Sequence, residues 1–253
     1  MTVTSYQIHS PRLPSMLIAV ASDLHGCPHK DAVDALQQAR PDLILIPGDL
    51  MEDKMLADPS SSGYAFLREC VSIAPTFYSL GNHEIGCYHK GNPWRHPTPI
   101  PLSDQAREEI ARTGAVLLDN DEVTWNGVRI CGLTSGINGK ENKADAEVLA
   151  RFAKGDAPRI LLCHHPEYFY PDIAKTDIEL TLCGHAHGGQ WCFFGRGVYS
   201  PGQGIFPKYT AGVLDGRCVI SRGLGNHTRI PRICNPCELL LISLNQKAQE
   251  NQV

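Results

Sequence analysis

Five short apolar runs, spread over residues 16 to 187, each end on side chains able to bind a cation. Met16–Ser22 delivers Asp23 and His25, and Asp42–Pro47 delivers Asp49. Pro75–Leu80 delivers Asn82, His83 and Glu84, and Arg159–Cys163 delivers His164 and His165. Ile178–Leu182 runs into Cys183-Gly184-His185-Ala186-His187-Gly188-Gly189-Gln190. Runs of this length, bounded by Gly, Pro and polar residues, read as buried β-strands. Helical spacing lies between the first three: Ala32, Val33, Leu36 and Ala39 mark a helix over Asp31–Arg40 that Pro41 stops, and Tyr64–Ile73 reads as a second. Strands alternating with helices predict an α/β fold. In such folds ligand-binding groups gather beyond the carboxyl ends of the strands.

Downstream, Ser103 is placed to cap a helix running to Thr113, with Gly114 just past its end. Val116–Leu118, Glu122–Trp125 and Val128–Leu133 read as strands, the last two joined at Asn126-Gly127, a pair suited to a two-residue hairpin turn. Asn142–Lys154 reads as a polar, Ala-rich helix, and Val219–Arg222 and Leu239–Leu244 as late strands. Ile85–Pro101, rich in Gly, Pro and His, is too long for a simple connection and reads as a functional or lid-like loop. No repeat, low-complexity tract or linker divides the 253 residues, so one domain over 1–253 is expected.

A net charge of −4 supplies no global basic field, so nucleic acid is not an expected partner. No stretch approaches the roughly 20 apolar residues of a transmembrane segment, and Met1–Pro14 lacks the apolar stretch of a secretory signal. Of 10 cysteines, Cys131, Cys163, Cys183 and Cys218 sit inside apolar runs, where a thiol behaves as a small buried hydrophobe. Reduced cysteines without an export signal predict a cytoplasmic protein.

His185 and His187 stand one residue apart after a strand, and continued strand geometry puts both on one face. Glycines at 184, 188 and 189 suit a strand end where backbone approaches a ligand closely. His-x-His alone is a weak signal, since a loop histidine commonly just hydrogen-bonds. Imidazole, carboxylate and amide groups arriving from five strand ends are a stronger one, and they suit a transition metal. A donor set without thiolates favours neither structural zinc nor an iron–sulfur cluster.

In chain order the blocks read Asp-x-His (23–25), Gly-Asp (48–49), Gly-Asn-His-Glu (81–84), His (164) and Gly-His-x-His (184–187). The series resembles the calcineurin-like metallophosphoesterase superfamily. Gly184–Gln190 together with Arg222-Gly-Leu-Gly225 is most similar to a bacterial branch of it, and the likeness runs from about residue 16 to about residue 244. The resemblance implies a four-layer α-β-β-α sandwich of two mixed sheets. It implies two transition-metal ions, Mn, Fe or Zn, one held by Asp23, His25 and His187 and the other by Asn82, His164 and His185, with Asp49 bridging them. It implies hydrolysis of a phosphomonoester or phosphodiester by a hydroxide shared between the metals, which clamp the phosphoryl oxygens for in-line attack. His83 then becomes the catalytic imidazole, stabilising the transition state or protonating the leaving oxygen. Glu84 caps or orients its loop, and His165, facing away from the ligand His164, is structural.

Two other functions stand beside this one. A pyrophosphatase of a nucleotide–lipid conjugate, of the UDP-diacylglucosamine type, is the second reading, because related folds act on lipid-linked sugars. A catalytically silent binding scaffold is the third, and it stands last because no ligand of the set is missing. Among weaker positions, Arg222 either binds phosphate or forms a surface ion pair. His89, inside 85–101, is a second substrate-binding candidate, while His9, His29, His96 and His227 have no spacing that argues for metal. Cys234-Asn-Pro-Cys237 lacks the two further ligands that a zinc site needs. Trp191, Phe193 and Phe194 read as core, with an apolar substrate wall or a peripheral membrane contact as open alternatives.

Overall fold

Strands that are apolar on both faces need cover on both sides, and the chain supplies it with two sheets and helices outside them. The computed structural model describes residues 1–86, 100–135, 144–200, 203–226 and 230–245. The first part of the chain forms β1 (Thr2–Ile8), β2 (Met16–Val20), α1 (Lys30–Ala39), β3 (Leu43–Ile46), α2 (Ser62–Ile73), β4 (Thr76–Ser79), α3 (Asp104–Thr113) and β5 (Val116–Leu118). There follow β6 (Glu122–Trp125), β7 (Val128–Leu133), α4 (Ala146–Phe152), β8 (Arg159–Cys163) and β9 (Leu180–Cys183). Two small hairpins, β10 (Cys192–Phe193) with β11 (Arg196–Gly197) and β12 (Tyr199–Ser200) with β13 (Gly204–Ile205), precede β14 (Gly212–Leu214), β15 (Cys218–Ile220) and β16 (Glu238–Leu244).

The first six-stranded sheet has the order β1-β16-β2-β3-β4-β5 and the second β14-β15-β9-β8-β7-β6. Strands β2 to β5 run parallel, as do β15, β9, β8 and β7. Antiparallel neighbours flank each parallel block: β16 on β2, β14 on β15 and β6 on β7. Every strand that carries a candidate ligand therefore lies in a parallel block.

Side-chain alternation sorts the residues into layers. Ile18, Val20, Leu43 and Leu45 of the first sheet share the central core with Ile130, Ile160, Leu162, Leu182 and Val219 of the second. Ala19, Ile44 and Ile46 turn outward against Leu36, Phe66 and Ile110 of the helices α1 to α3. On the opposite outside, Leu161, Cys163, Cys183 and Ile220 meet Val148 and Phe152 of α4, together with Tyr168 and Phe169. Burial of each such aliphatic side chain contributes about 1.5–3 kcal/mol. The result is the expected α-β-β-α sandwich. Cys131, Cys163, Cys183 and Cys218 are all buried in it, and desolvation pushes the Cys131 thiol up to about 12, so these cysteines are packing residues.

Local signals behave as their chemistry requires. Ser103 Oγ accepts from the Ala106 N–H at 3.2 Å and Gly114 closes α3 at φ 88°. Asn126 and Gly127 sit at φ 48° and 78°, the backbone of a two-residue hairpin turn that matches strand twist. The fourth helix starts at Ala146, later than Asn142, because Asp145 Oδ1 accepts from the Glu147 and Val148 N–H groups and caps it there.

Several strands carry no signal of their own in the sequence. At the N-terminus β1 pairs in parallel with β16 from Thr2↔Glu238 to Ile8↔Leu244. As an edge strand with exposed Thr2, Val3, Ser5 and Gln7 it lacks a continuous apolar signal. The two hairpins β10–β11 and β12–β13 and the strand β14 also had no strand-like pattern. Residues 87–99, which hold His89, His96 and most of the expected loop, lie outside the described residues, as does His227. Among the described residues no helix is long and apolar enough to cross a membrane.

Candidate metal centre

The ends of β2, β3, β4, β8 and β9 meet at one place, and the two sheets contribute side chains to it jointly. Asp23, His25, Asp49, Asn82, His164, His185 and His187 are all buried there, with His83 partly exposed beside them. Two glycines make the approach possible. A Cβ at Gly81 would overlap Asp49 Oδ1, and one at Gly184 would overlap Ser22 Oγ and Asp23 Oδ2. Any larger residue at either position would push the strand ends apart.

The backbone at the centre is held in an unusual state. Asp23, His25, Asp49, His185 and His187 all take positive φ, between 47° and 67°. Such conformations cost of order 1–3 kcal/mol each and persist only where the surroundings enforce them. Part of the enforcement is visible: His185 N–H donates to Asp23 Oδ1 at 2.9 Å, and His83 N–H donates to Asp49 Oδ1 at 2.9 Å. This backbone also overturns the expectation that His185 and His187 share a strand face. The strand β9 ends at Cys183, and the left-handed residues beyond it send the two rings apart. The His187 ring stacks on His25, centroids 5.1 Å apart, whereas the His185 ring lies 4.1 Å from that of His165.

Two groups of donor atoms result. In one, His187 Nε2 is 3.2 Å from His25 Nε2 and 3.5 Å from Asp23 Oδ1. In the other, Asp49, His164 and His185 present atoms within 4.8 Å of one another, His164 Nε2 lying 2.9 Å from Asp49 Oδ2. Asp49 Oδ2 is also 3.9 Å from His25 Nε2, so a single carboxylate faces both groups. Asn82 Oδ1 and His185 Nε2 are buried without a hydrogen-bond partner. Orphaned polar atoms of this kind are unfavourable in a protein interior, and a cation is the partner that suits a carbonyl oxygen and an imidazole lone pair together.

Charges and tautomers fit the same partner. Burial opposes ionisation of Asp49, yet His164, His83 and His25 hold its carboxyl well below the usual range. Burial likewise pulls the His164 imidazole down, but Asp49 and Asp23 outweigh it and lift it to about 10. A proton on His164 thus meets the carboxylate charge that a cation would neutralise, and a bound cation would displace it. Pro47 C=O accepts from His164 Nδ1 at 2.9 Å and Glu52 binds His25 Nδ1 at 3.0 Å, which turns both Nε2 atoms toward the centre. His187 is presented differently. Arg232 lies 3.0 Å from its Nδ1, and its Nε2 faces His25 Nε2 and Asp23 Oδ1.

Glu52 and Arg232 escaped the sequence reading. Glu52 stands three residues past Asp49, and its carboxylate grips His25 Nδ1 at 3.0 Å and His83 Nδ1 at 2.9 Å. That close spacing to Asp49 was the available signal. Arg232, far along the chain and without a motif, had none. Burial pulls the His83 imidazole down, but Asp49 and Glu52 raise it to about 9. Glu52→Gln removes one of the negative charges that act on His83, so its pKa falls, and metal affinity drops about 10–100-fold through the loosened His25. A histidine NMR titration and a metal titration check both; an unmoved His83 resonance would contradict the role of Glu52.

The remaining positions have these places. Glu84 is buried and accepts from the N–H groups of Gly81, Asp49 and Met51 and from the Tyr78 hydroxyl, which is the loop-orienting task expected of it. Burial and the neighbouring His164 push the His165 imidazole down to about 3, so it packs as a neutral ring. The Arg222 guanidinium donates to Asn235 Oδ1 at 3.1 Å and lies 3.8 Å from Glu238, an arrangement that ties its loop to β16. Cys234 is exposed, and among the described residues neither it nor Cys237 joins a group of metal-ligating side chains.

Comparison with known proteins matches residues 16–189 to the family described as calcineurin-like phosphoesterase. An uncharacterized metallophosphoesterase of Helicobacter pylori is 28% identical over 160 residues, covering 62% of this chain and 39% of its own length. One from Campylobacter jejuni is 28% identical over 258 residues, covering 97% of this chain and 63% of its own. The phosphodiesterase YaeI of Escherichia coli is 26% identical over 168 residues, covering 63% of this chain and 54% of its own. The chain thus spans between 39% and 63% of the length of these relatives.

Proposed function

The chain belongs to the calcineurin-like phosphoesterase family, whose match takes in every candidate ligand from Asp23 to His187, and from that premise we propose that it hydrolyses phosphate esters with two transition-metal ions. One observation carries the reading: two groups of buried nitrogen and oxygen donors face a shared Asp49 carboxylate. Asp23, His25 and His187 would hold one ion, and Asn82, His164 and His185 the other, with Asp49 between them. When bound, such a pair of ions polarises the phosphoryl oxygens and acidifies the attacking water. The donor set suits Mn, Fe or Zn.

The protein's own groups supply the rest. His83 is the partly exposed imidazole of the centre, and the Glu52 carboxylate at its Nδ1 favours the protonated ring. Glu52 engages its Nδ1, which leaves Nε2 to deliver a proton to the leaving oxygen. Glu84 keeps the Asp49 and Gly81–His83 loops in register while this happens.

The test pairs metal content with turnover. The protein is purified without added metal, its bound metals are counted by mass spectrometry, and an aryl phosphomonoester and an aryl phosphodiester are offered with Mn, Zn, Fe and Mg in turn. About two metals per chain and metal-restored hydrolysis are expected, with the diester preferred, the class that names the Escherichia coli relative. Failure to bind metal under any of these conditions would sink the proposal. A nucleotide–lipid pyrophosphate is a second substrate reading, favoured by the exposed Phe193 and Phe194 just beyond the His187 turn. It requires faster cleavage of lipidic pyrophosphates in detergent than of short water-soluble diesters.

A further inference from the structure

Directly after the tight turn at His187–Gly189 the chain leaves both sheets and ties a small knot. Val198 N–H donates to Trp191 C=O at 2.8 Å, and Phe206 N–H donates to Val198 C=O at 2.8 Å, which joins hairpin β10–β11 to hairpin β12–β13. Cys192 N–H donates to Ile233 C=O at 2.9 Å, and the Trp191 indole N–H to Pro231 C=O at 3.0 Å, which adds the segment 230–233. Strand alternation turns Cys192, Gly197 and Ser200 inward and Phe193, Arg196, Tyr199 and Ile205 outward. Phe194 at the tip of the first hairpin is fully exposed, Phe206 is 76% exposed and Ile205 72%.

Single exposed apolar residues are ordinary, whereas a contiguous group marks a contact surface. Two features show what this group contacts. Phe194 and Phe206 stand at φ 51° and 54°, a backbone region that bulky side chains rarely adopt. The first position of a two-residue hairpin turn ordinarily takes Asn, Asp or Gly, so hydration and backbone preference both oppose a phenylalanine at 194. The second feature is charge. From His185 to Leu214 the sequence holds no Asp or Glu, while Arg196 and Lys208 are exposed within the knot, in a chain whose net charge is −4.

We propose that this knot is a docking surface for an anionic lipid bilayer. Phe194, Ile205 and Phe206 enter the acyl boundary while Arg196 and Lys208 meet lipid phosphates, the combination that interfacial anchors use. A second copy of the chain fits less well, because face-to-face contact would set like charges against each other. Docking through the knot places the bilayer one short turn from His187.

The experiment is vesicle flotation with the full chain, using phosphatidylcholine with and without phosphatidylglycerol. The wild type is expected to float with the anionic vesicles and to be released by salt. Phe194→Ser/Phe206→Ser and, separately, Arg196→Glu/Lys208→Glu should each weaken binding about tenfold or more. All four positions are exposed, and thermal melts verify that the variants fold. No binding to either vesicle, or equal binding by wild type and both variants, would overturn the proposal. So would a concentration-dependent dimer that the phenylalanine variant dissolves, since the face would then belong to a second copy. Flotation involves no turnover, so this inference and the phosphoesterase reading fail separately.

Discussion

Asp49→Asn is expected to lower hydrolysis by about 10³-fold or more, a loss of about 4 kcal/mol at about 1.36 kcal/mol per tenfold. The effect is large because one carboxylate serves the whole centre. Asp49 Oδ2 lies 2.9 Å from His164 Nε2 and 3.9 Å from both His25 and His83. An asparagine keeps the shape, and its oxygen can still accept from His83 N–H as Asp49 Oδ1 does at 2.9 Å. What it removes is the negative charge that lifts His164 and His83 to about 10 and about 9, the same charge that would offset the repulsion between two cations. Metal content by mass spectrometry should fall by one or both ions, with kcat falling alongside it and the thermal melt showing a folded protein. Wild-type turnover with two bound metals would remove Asp49 from the proposed role.

Glu84→Ala is expected to be the most damaging change to stability, at about 3–5 kcal/mol. The carboxylate accepts from Gly81 N at 2.8 Å, Asp49 N at 3.0 Å, Met51 N at 3.0 Å and Tyr78 Oη at 2.7 Å, all within the protein interior. Truncation leaves these donors without a partner, at about 1–3 kcal/mol for each group that water cannot reach. At about 2–4 °C per kcal/mol for a chain of this size the melting temperature should fall by about 10 °C. Burial raises the pKa of Glu84 even though Tyr78 and Met51 donate to it. The ionised carboxylate is therefore tolerated only while its donors converge, and Glu84→Gln, which retains one oxygen, should lose roughly half as much. Urea unfolding of the two variants checks the ranking. An unchanged midpoint for Glu84→Ala would show that the two loops are held by something else.

Much of this was legible in the chain. Strands β2, β3, β4, β8 and β9 announce themselves as apolar runs because burial on both faces removes any need for polar residues. The polar residues that end them stand out against that background. Ser103, Gly114 and Asn126-Gly127 were readable because capping and hairpin turns are satisfied within a few residues. The edge strand β1 was not, since its pairing with β16 joins residues more than 230 apart and its own pattern is half-exposed. The knot of hairpins escaped for a related reason: Phe193 and Phe194 look like core, and only the fold shows that they face solvent.

The sequence by itself determined the class of fold, the position of each candidate ligand at a strand end, and the chemistry those ligands share. These are local properties, set by alternation along a strand, by glycine punctuation and by the donor atoms each residue carries. The tertiary structure alone decided what aims the candidate ligands. His25 meets His187 across 162 residues, Pro47 orients His164 across 117, and Arg232 reaches back 45 to His187. Such partnerships depend on how two sheets pack and on five backbones held at positive φ. No spacing in the sequence encodes them, because a side chain at a strand end can turn to either neighbour until packing removes the choice.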